Sequence, residues 1–243
     1  MKSFKFLPVI SAMLFAFSMQ SCLSYLDDDE NNEIVTCPPG PSLAIATIKV
    51  IDDDDYYFGL DNGATMYPAD KTIVSNYKAK DGQRALVYFD IYSDLTDKLK
   101  VEGYDYSIRV FDIKDILTKN IIPLTEETAD SIGDDKINAV SIHLTKEYLT
   151  IQFQFLSTDN PNKLHMLNLV QNLTIEEDED NEYLNLEFRH NAYDDAPMQL
   201  GENYVSFKLD DALIAGKKGV KVRINTIYNG IVYKIANFIE GEE

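Results

Sequence analysis

Three histidines, two cysteines and 41 acidic residues are the side chains of this 243-residue chain with the most chemistry to offer. A histidine metal site needs convergent nitrogens and usually shows itself by paired spacing, which His143, His165 and His190 lack. The acidic runs at 52–55 and 176–182 carry oxygen ligands of the kind calcium takes, but without the loop glycine and spaced ligands of an EF-hand. They read as solvated turns. A nucleophile elbow, a Cys-Xaa-Xaa-Cys pair, a glycine-rich phosphate loop and a zinc-protease helix are all missing. A hydrolase built on two carboxylates is defined by their separation across a cleft, so abundant acids alone do not announce one. The reading is therefore a chain with no catalytic residue, no cofactor and no metal ligand. The densest polar and aromatic group is Arg189, His190, Asn191 and Tyr193, directly after a strand-like segment. It is either a recognition edge or a supporting set, with Arg189 paired to an acidic neighbour and Tyr193 closing the fold.

The N-terminus carries the most specific signal. Lys2 and Lys5 precede an apolar stretch from Phe6 to Met19, and Gln20-Ser21-Cys22 follows. That is the layout of an export signal, and the stretch is short for a permanent membrane span. A small residue directly before Cys resembles the bacterial lipobox, which implies that residues 1–21 are removed and Cys22 is acylated. Several acyl chains would hold the protein on a membrane, where a single chain binds only marginally. Asp27-Asp28-Asp29-Glu30 resembles the acidic signal that sends Bacteroidetes lipoproteins to the outer face of the outer membrane. Cys37, the remaining cysteine, then has no partner for a disulfide. It leads into Pro38-Pro39-Gly40-Pro41, a stiff end to a tether over residues 22–42.

Beyond the tether the elements read as strands. Alternation is clean at Leu149, Ile151 and Phe153, and at Val140, Ile142 and Leu144 with His143 on the polar side. It returns at Leu184 to Phe188, Val205 to Leu209 and Val220 to Ile224, while Asn229-Gly230 turns the chain into a last strand. With a less regular strand within 164–170, this makes about seven, as in a two-sheet sandwich. Between residues 43 and 124 the strands at 45–51, 56–60, 85–92 and 104–111 are more often apolar on both sides, which suits a small closed barrel. Asp61-Asn62-Gly63 reads as a turn, and Ile113, Ile116 and Leu117 have the spacing of one helical turn. The expected organisation is all-β: an OB-like barrel over 43–124, a polar linker over 125–138 and a β-sandwich over 139–240, the two domains folding separately.

Several stretches resemble the NigD-like lipoproteins of the Bacteroidetes: YYFGLDNGATMYPA (56–69), KDGQRALV (80–87), VFDIKDILTK (110–119), LEFRHNAYDD (186–195) and YVSFKL (204–209). The resemblance implies an OB-like domain followed by a β-sandwich behind a lipoprotein signal. The family name comes from a bacteriocin-associated locus, so the resemblance also implies an immunity role. Asp130-Ser131-Ile132 resembles the short O-glycosylation acceptor of Bacteroidetes, with Ser131 as the hydroxyl. The formal charge is −19. Loss of Lys2 and Lys5 with the signal leaves 20 basic against 41 acidic groups, or −21. Nucleic acid is thereby a poor partner, since affinity for it comes from cations on phosphates. The expected function is an outer-membrane lipoprotein that binds a basic or neutral protein or peptide. Two alternatives stand beside it. The 15 tyrosines could stack on sugars, although tryptophan is absent. A hydrolase would need two acids with divergent pKa values in a deep cleft.

Overall fold

The computed structural model describes residues 41–52, 54–92, 100–175 and 182–238. Cys22, Cys37 and the tether up to residue 40 lie outside them. Five strands form the first domain: β1 (Ser42–Asp52), β2 (Asp55–Leu60), β3 (Thr65–Asp70), β4 (Arg84–Ile91) and β5 (Tyr106–Asp115). They close into a barrel in the order β1-β2-β3-β5-β4. Closure removes the unpaired edges that a short open sheet would leave, and the interior is filled by Ile48, Phe58, Met66, Val87, Ile108 and Val110.

The second domain stacks two sheets. One runs β14 (Gly230–Asn237), β13 (Gly219–Thr226), β11 (Tyr183–Asn191), β10 (Met166–Asn172), β7 (Ile122–Leu124). The other runs β6 (Leu117–Asn120), β12 (Gln199–Lys208), β9 (Tyr148–Ser157), β8 (Asn138–Leu144). Leu149, Ile151, Phe153 and Phe207 from one sheet meet Leu169, Leu186, Phe188 and Val222 from the other. These are the inward members of the alternation read in the sequence. Lys119 of β6 reaches across to β10, donating to the Leu167 carbonyl and Asn168 Oδ1, each at 2.6 Å. At Gly219 a Cβ would lie 2.0 Å from the Ala236 carbonyl, so only glycine lets β13 and β14 approach there.

Four expectations are corrected. The spacing of Ile113, Ile116 and Leu117 is not a helical turn: β5 runs through Asp115 and β6 starts at Leu117. β6 pairs with β12 and β7 with β10, so the sandwich begins at Leu117 and the chain leaves the barrel near Ile116. Residues 125–138 are accordingly no linker: the short helix α1 (Ala129–Ile132) buries Ile132 against Val170 and Leu124. Val140 does not face the core, because a bulge between Ala139 and Ser141 shifts the register and leaves it exposed.

Candidate functional site: the barrel–sandwich junction

The outward face of β9 and β12 carries Thr150, Gln152, Gln154, Glu202, Tyr204 and Ser206, polar side chains as expected of a solvent-facing strand surface. The barrel covers one end of that face. Thr150 and Ser206 are thus buried although they point away from the sandwich core, and their hydroxyls bond to each other at 2.8 Å. The barrel residue set against them is Arg84, at the start of β4 and 0% exposed. Its Nη1 donates to Asp61 Oδ1 at 2.5 Å and to Thr47 Oγ1 at 3.0 Å. Its Nη2 donates to Asp61 Oδ2 at 2.8 Å and to Thr150 Oγ1 at 3.3 Å, and the guanidinium lies 4.8 Å from the centre of the Tyr148 ring. A planar fork with donors on both sides suits this role, bonding a carboxylate twice while stacking on an aromatic ring. Arg84 Nε has no hydrogen-bond partner among the described residues.

Asp61 occupies the turn after β2, with Gly63 at φ +84° completing it. His143 of β8 approaches the same carboxylate, Nε2 to Oδ2 at 3.4 Å. Beside this contact the two domains diverge and leave an open cleft of about 500 Å³. Its barrel wall is aliphatic, from Leu43, Ile45, Leu60 and Leu86, and its sandwich wall is polar, from Ser141, His143, Gln152 and Tyr204. Gln152 and Gln154 both donate to the Glu202 carboxylate, at 2.6 and 2.7 Å, which fixes the Gln152 amide in the polar wall. Asp61 is the only acidic residue among those lining the cleft, and Arg84 holds it with two bonds. A mechanism of two carboxylates would need a second acid beside Asp61, and none lines the cleft among the described residues. What the cleft offers is an apolar strip facing hydrogen-bonding groups, the pattern that takes an extended segment with one apolar edge.

A second polar cluster lies inside the sandwich. The Asp195 carboxylate accepts from the backbone N–H of Thr158 at 2.9 Å and its hydroxyl at 2.7 Å, and lies 3.1 Å from His165 Nε2. His165 Nδ1 lies 2.8 Å from His190 Nε2 with the rings stacked, and Phe155 packs edge-on against both. The Thr158 amide, before the bond from His165, pulls Asp195 down to about 2. Burial, and then the neighbouring His165, push His190 down to about 4, so it is neutral at pH 7. The contacts form one hydrogen-bonded chain that runs from His190 through His165 to Asp195, and His190 Nδ1 lies 3.3 Å from the Lys136 carbonyl. A metal bridging the facing nitrogens would need them further apart than 2.8 Å. No group of three metal-ligating side chains occurs among the described residues.

The four residues read as a recognition edge are mostly consumed by structure. Arg189 pairs with Glu187 and with Asp134, His190 is buried in the cluster above, and Asn191 Nδ2 donates to the Ser131 carbonyl at 3.1 Å. Tyr193 alone is exposed, in a left-handed turn at φ 47°, and does not close the fold. Ser131 is exposed on α1, its hydroxyl donating to the Thr128 carbonyl. Asp55, from the acidic run at 52–55, accepts from the Tyr67 hydroxyl at 2.8 Å and lies 3.9 Å from Lys71. Most of the run at 176–182 falls outside the described residues. Tyr57, Tyr67 and Tyr104 cluster on the barrel, but half-buried and tilted by 50° and 33°, unlike the flat platform a sugar stacks on. The sequence shows Asp61 only as part of a turn and gives Arg84 no partner. The usable signal was an arginine at the head of an otherwise apolar strand.

Two family profiles match the chain: the NigD-like N-terminal OB domain over residues 45–116 and the NigD-like C-terminal beta sandwich domain over residues 120–238. Among solved structures, a protein of unknown function from Bacteroides vulgatus is 29% identical with a TM-score of 0.71, covering 83% of this chain and 93% of that one. A toxin-related protein from Parabacteroides distasonis is also 29% identical, with a TM-score of 0.63 and coverage of 81% and 92%. A NigD-like immunity protein from Bacteroides caccae, 19% identical with a TM-score of 0.59 and coverage of 82% and 94%, shares the fold. No curated protein matches the chain.

Proposed function

The chain belongs to the NigD-like family, and from that premise we propose that it is a non-catalytic, envelope-anchored lipoprotein of the immunity type. In this reading Cys22 is the acylated anchor, the segment after it a tether, and the barrel–sandwich cleft the place where an extended segment of a protein toxin is bound. The observation that carries the reading is the cleft itself, whose aliphatic wall faces the polar side chains of Ser141, His143, Gln152 and Tyr204 while Asp61 is tied to Arg84. Such a surface can hold a chain by its edge and backbone. The toxin-related description of a relative at 29% identity supports the same role.

The test is protection. Sensitive cells expressing the chain should survive culture supernatants of toxin-producing relatives, and Cys22→Ala should abolish survival by releasing the protein from membranes. Leu43→Glu, on the exposed rim of the cleft, should weaken protection while leaving the protein membrane-bound. Membrane-bound wild-type protein that protects against none of these supernatants would overturn the immunity reading. Mass spectrometry showing an unmodified Cys22 would overturn the anchor.

A further inference from the structure

The β13–β14 hairpin has chemistry opposite to the rest of the chain. From Ala212 to Ile239 the sequence holds Lys217, Lys218, Lys221, Arg223 and Lys234 and no acidic residue, in a chain of formal charge −19; Lys218 pairs with Glu182 and Arg223 with Asp134 and Glu187, and Lys221 and Lys234 are the lysines on the two strands themselves. β14 is the last strand of its sheet, eight residues long and without proline, and no further strand pairs with it among the described residues. Of the features that ordinarily blunt a sheet edge, shortness, proline, bulges and a covering strand do not occur at β14 among the described residues, and Lys234 is the one charged side chain on it. Its outward side chains are Ile231, Tyr233 and Ile235, exposed at 54, 60 and 54%, while Val232 and Ala236 pack on the core and pin the strand. Lys221 stands 5.1 Å from the Tyr233 ring centre, and Lys234 points to the other side, donating to the Val140 carbonyl at 3.2 Å.

We propose that β14 is the docking edge for an extended, acidic segment of a partner protein, which adds to the five-stranded sheet as a sixth strand. Main-chain hydrogen bonds to the open ladder would hold it, and alternate side chains would set its specificity. On one face an apolar residue would sit beside Ile231, Tyr233 or Ile235, and on the other a carboxylate beside Lys234. The charges choose this occupant over a second copy of the chain, because two such edges would bring lysines against lysines. This site is separate from the cleft of the proposed immunity role and does not depend on it.

The probe is a fluorescein-labelled peptide of four Val-Glu repeats, compared with four Val-Lys repeats, on the full chain. The acidic peptide should bind at least about tenfold more tightly, weaken as salt rises, and slow hydrogen exchange at β14 amides. Ile231→Glu with Ile235→Glu, both on exposed positions, should keep the melting temperature and reverse the peptide preference. N-methylation of alternate peptide amides should abolish binding, since it removes the ladder donors. Equal affinity for both peptides, or protection on β6, β7 or β8 instead, overturns the proposal. So does slow exchange, in the free chain, of the β14 amides that face away from β13, whether from self-association in sedimentation or from a segment of the same chain lying on the edge.

Discussion

Arg84 at the junction and His165–His190 in the sandwich are both polar groups taken out of water, and the protein satisfies them in different ways. Arg84 keeps a permanent charge and meets a carboxylate with two bonds, drawing its partners from both domains. The histidines are held by a chain of hydrogen bonds within one domain, ending on Asp195, and His190 is kept neutral by burial. The first arrangement fixes one domain on the other through a guanidinium bonded to Asp61, Thr47 and Thr150. The second leaves the sandwich with a group whose protonation opposes folding. Domain placement and acid sensitivity should therefore separate experimentally.

The largest effect is expected at the junction. Arg84→Ala leaves Asp61 half-enclosed without its cation and strips Thr47 and Thr150 of a donor, a class of change that costs about 3–5 kcal/mol. In wild type the two domains should unfold together in urea. In Arg84→Ala, tyrosine fluorescence and far-UV circular dichroism should resolve two transitions. Fragments 42–116 and 117–238 test the independence of the domains directly, with the boundary moved to where β6 leaves the barrel. A single, unshifted transition in Arg84→Ala would break the contrast, since the ion pair would then not couple the domains.

Next in size is the histidine cluster. His190 has a folded pKa of about 4, below its unfolded value of about 6.5, so the unfolded chain binds the extra proton. Stability from this group is fully present above pH 6.5 and is lost as pH falls towards 4, on the order of 3 kcal/mol in all. Asp195, with its pKa lowered to about 2, contributes stability above pH 3.8 that is lost at lower pH still. Urea midpoints measured from pH 7 to 4 should fall in wild type and stay flatter in His190→Gln. The Arg84→Ala variant should keep the wild-type slope, and an equal slope in His190→Gln would remove the cluster from the account of acid sensitivity.

The two clusters also mark where the sequence was legible. Strands such as Leu149–Ile151–Phe153 and Val220–Val222–Ile224 announced themselves because one face of each is buried, and the barrel and sandwich followed from them. β6 and β7 escaped because they are four and three residues long, too short for a period to register, and β7 contains Pro123. The junction escaped for another reason. Arg84 and Asp61 lie 23 residues apart, and Thr150 is 66 residues from Arg84, so only the tertiary fold brings them together. His165 and His190 show no paired spacing in the sequence, and β10 pairing with β11 sets their ring nitrogens 2.8 Å apart. The outward face of β9 was read correctly as polar, yet nothing local says that the barrel covers Thr150 and spares Gln152.

That last distinction yields the smallest and sharpest test. Thr150 and Gln152 are successive outward residues of one strand, one buried beneath the barrel and one lining the open cleft. Thr150→Val keeps the shape of the side chain and removes the hydroxyl that links Arg84 Nη2 to Ser206 Oγ. A buried group that loses a hydrogen-bond partner costs about 1–3 kcal/mol, and the 3.3 Å bond to Arg84 places this change at the low end, about 1 kcal/mol. Gln152→Ala removes bonds to Glu202 and from Ser141 at a surface where water can replace them, so its stability change should stay within about 0.5 kcal/mol. Urea titrations of the two variants at pH 7 should order them that way. If Gln152→Ala were the more costly, the cleft wall would be part of the domain interface, and the cleft would be too rigid to serve as the open surface proposed for binding.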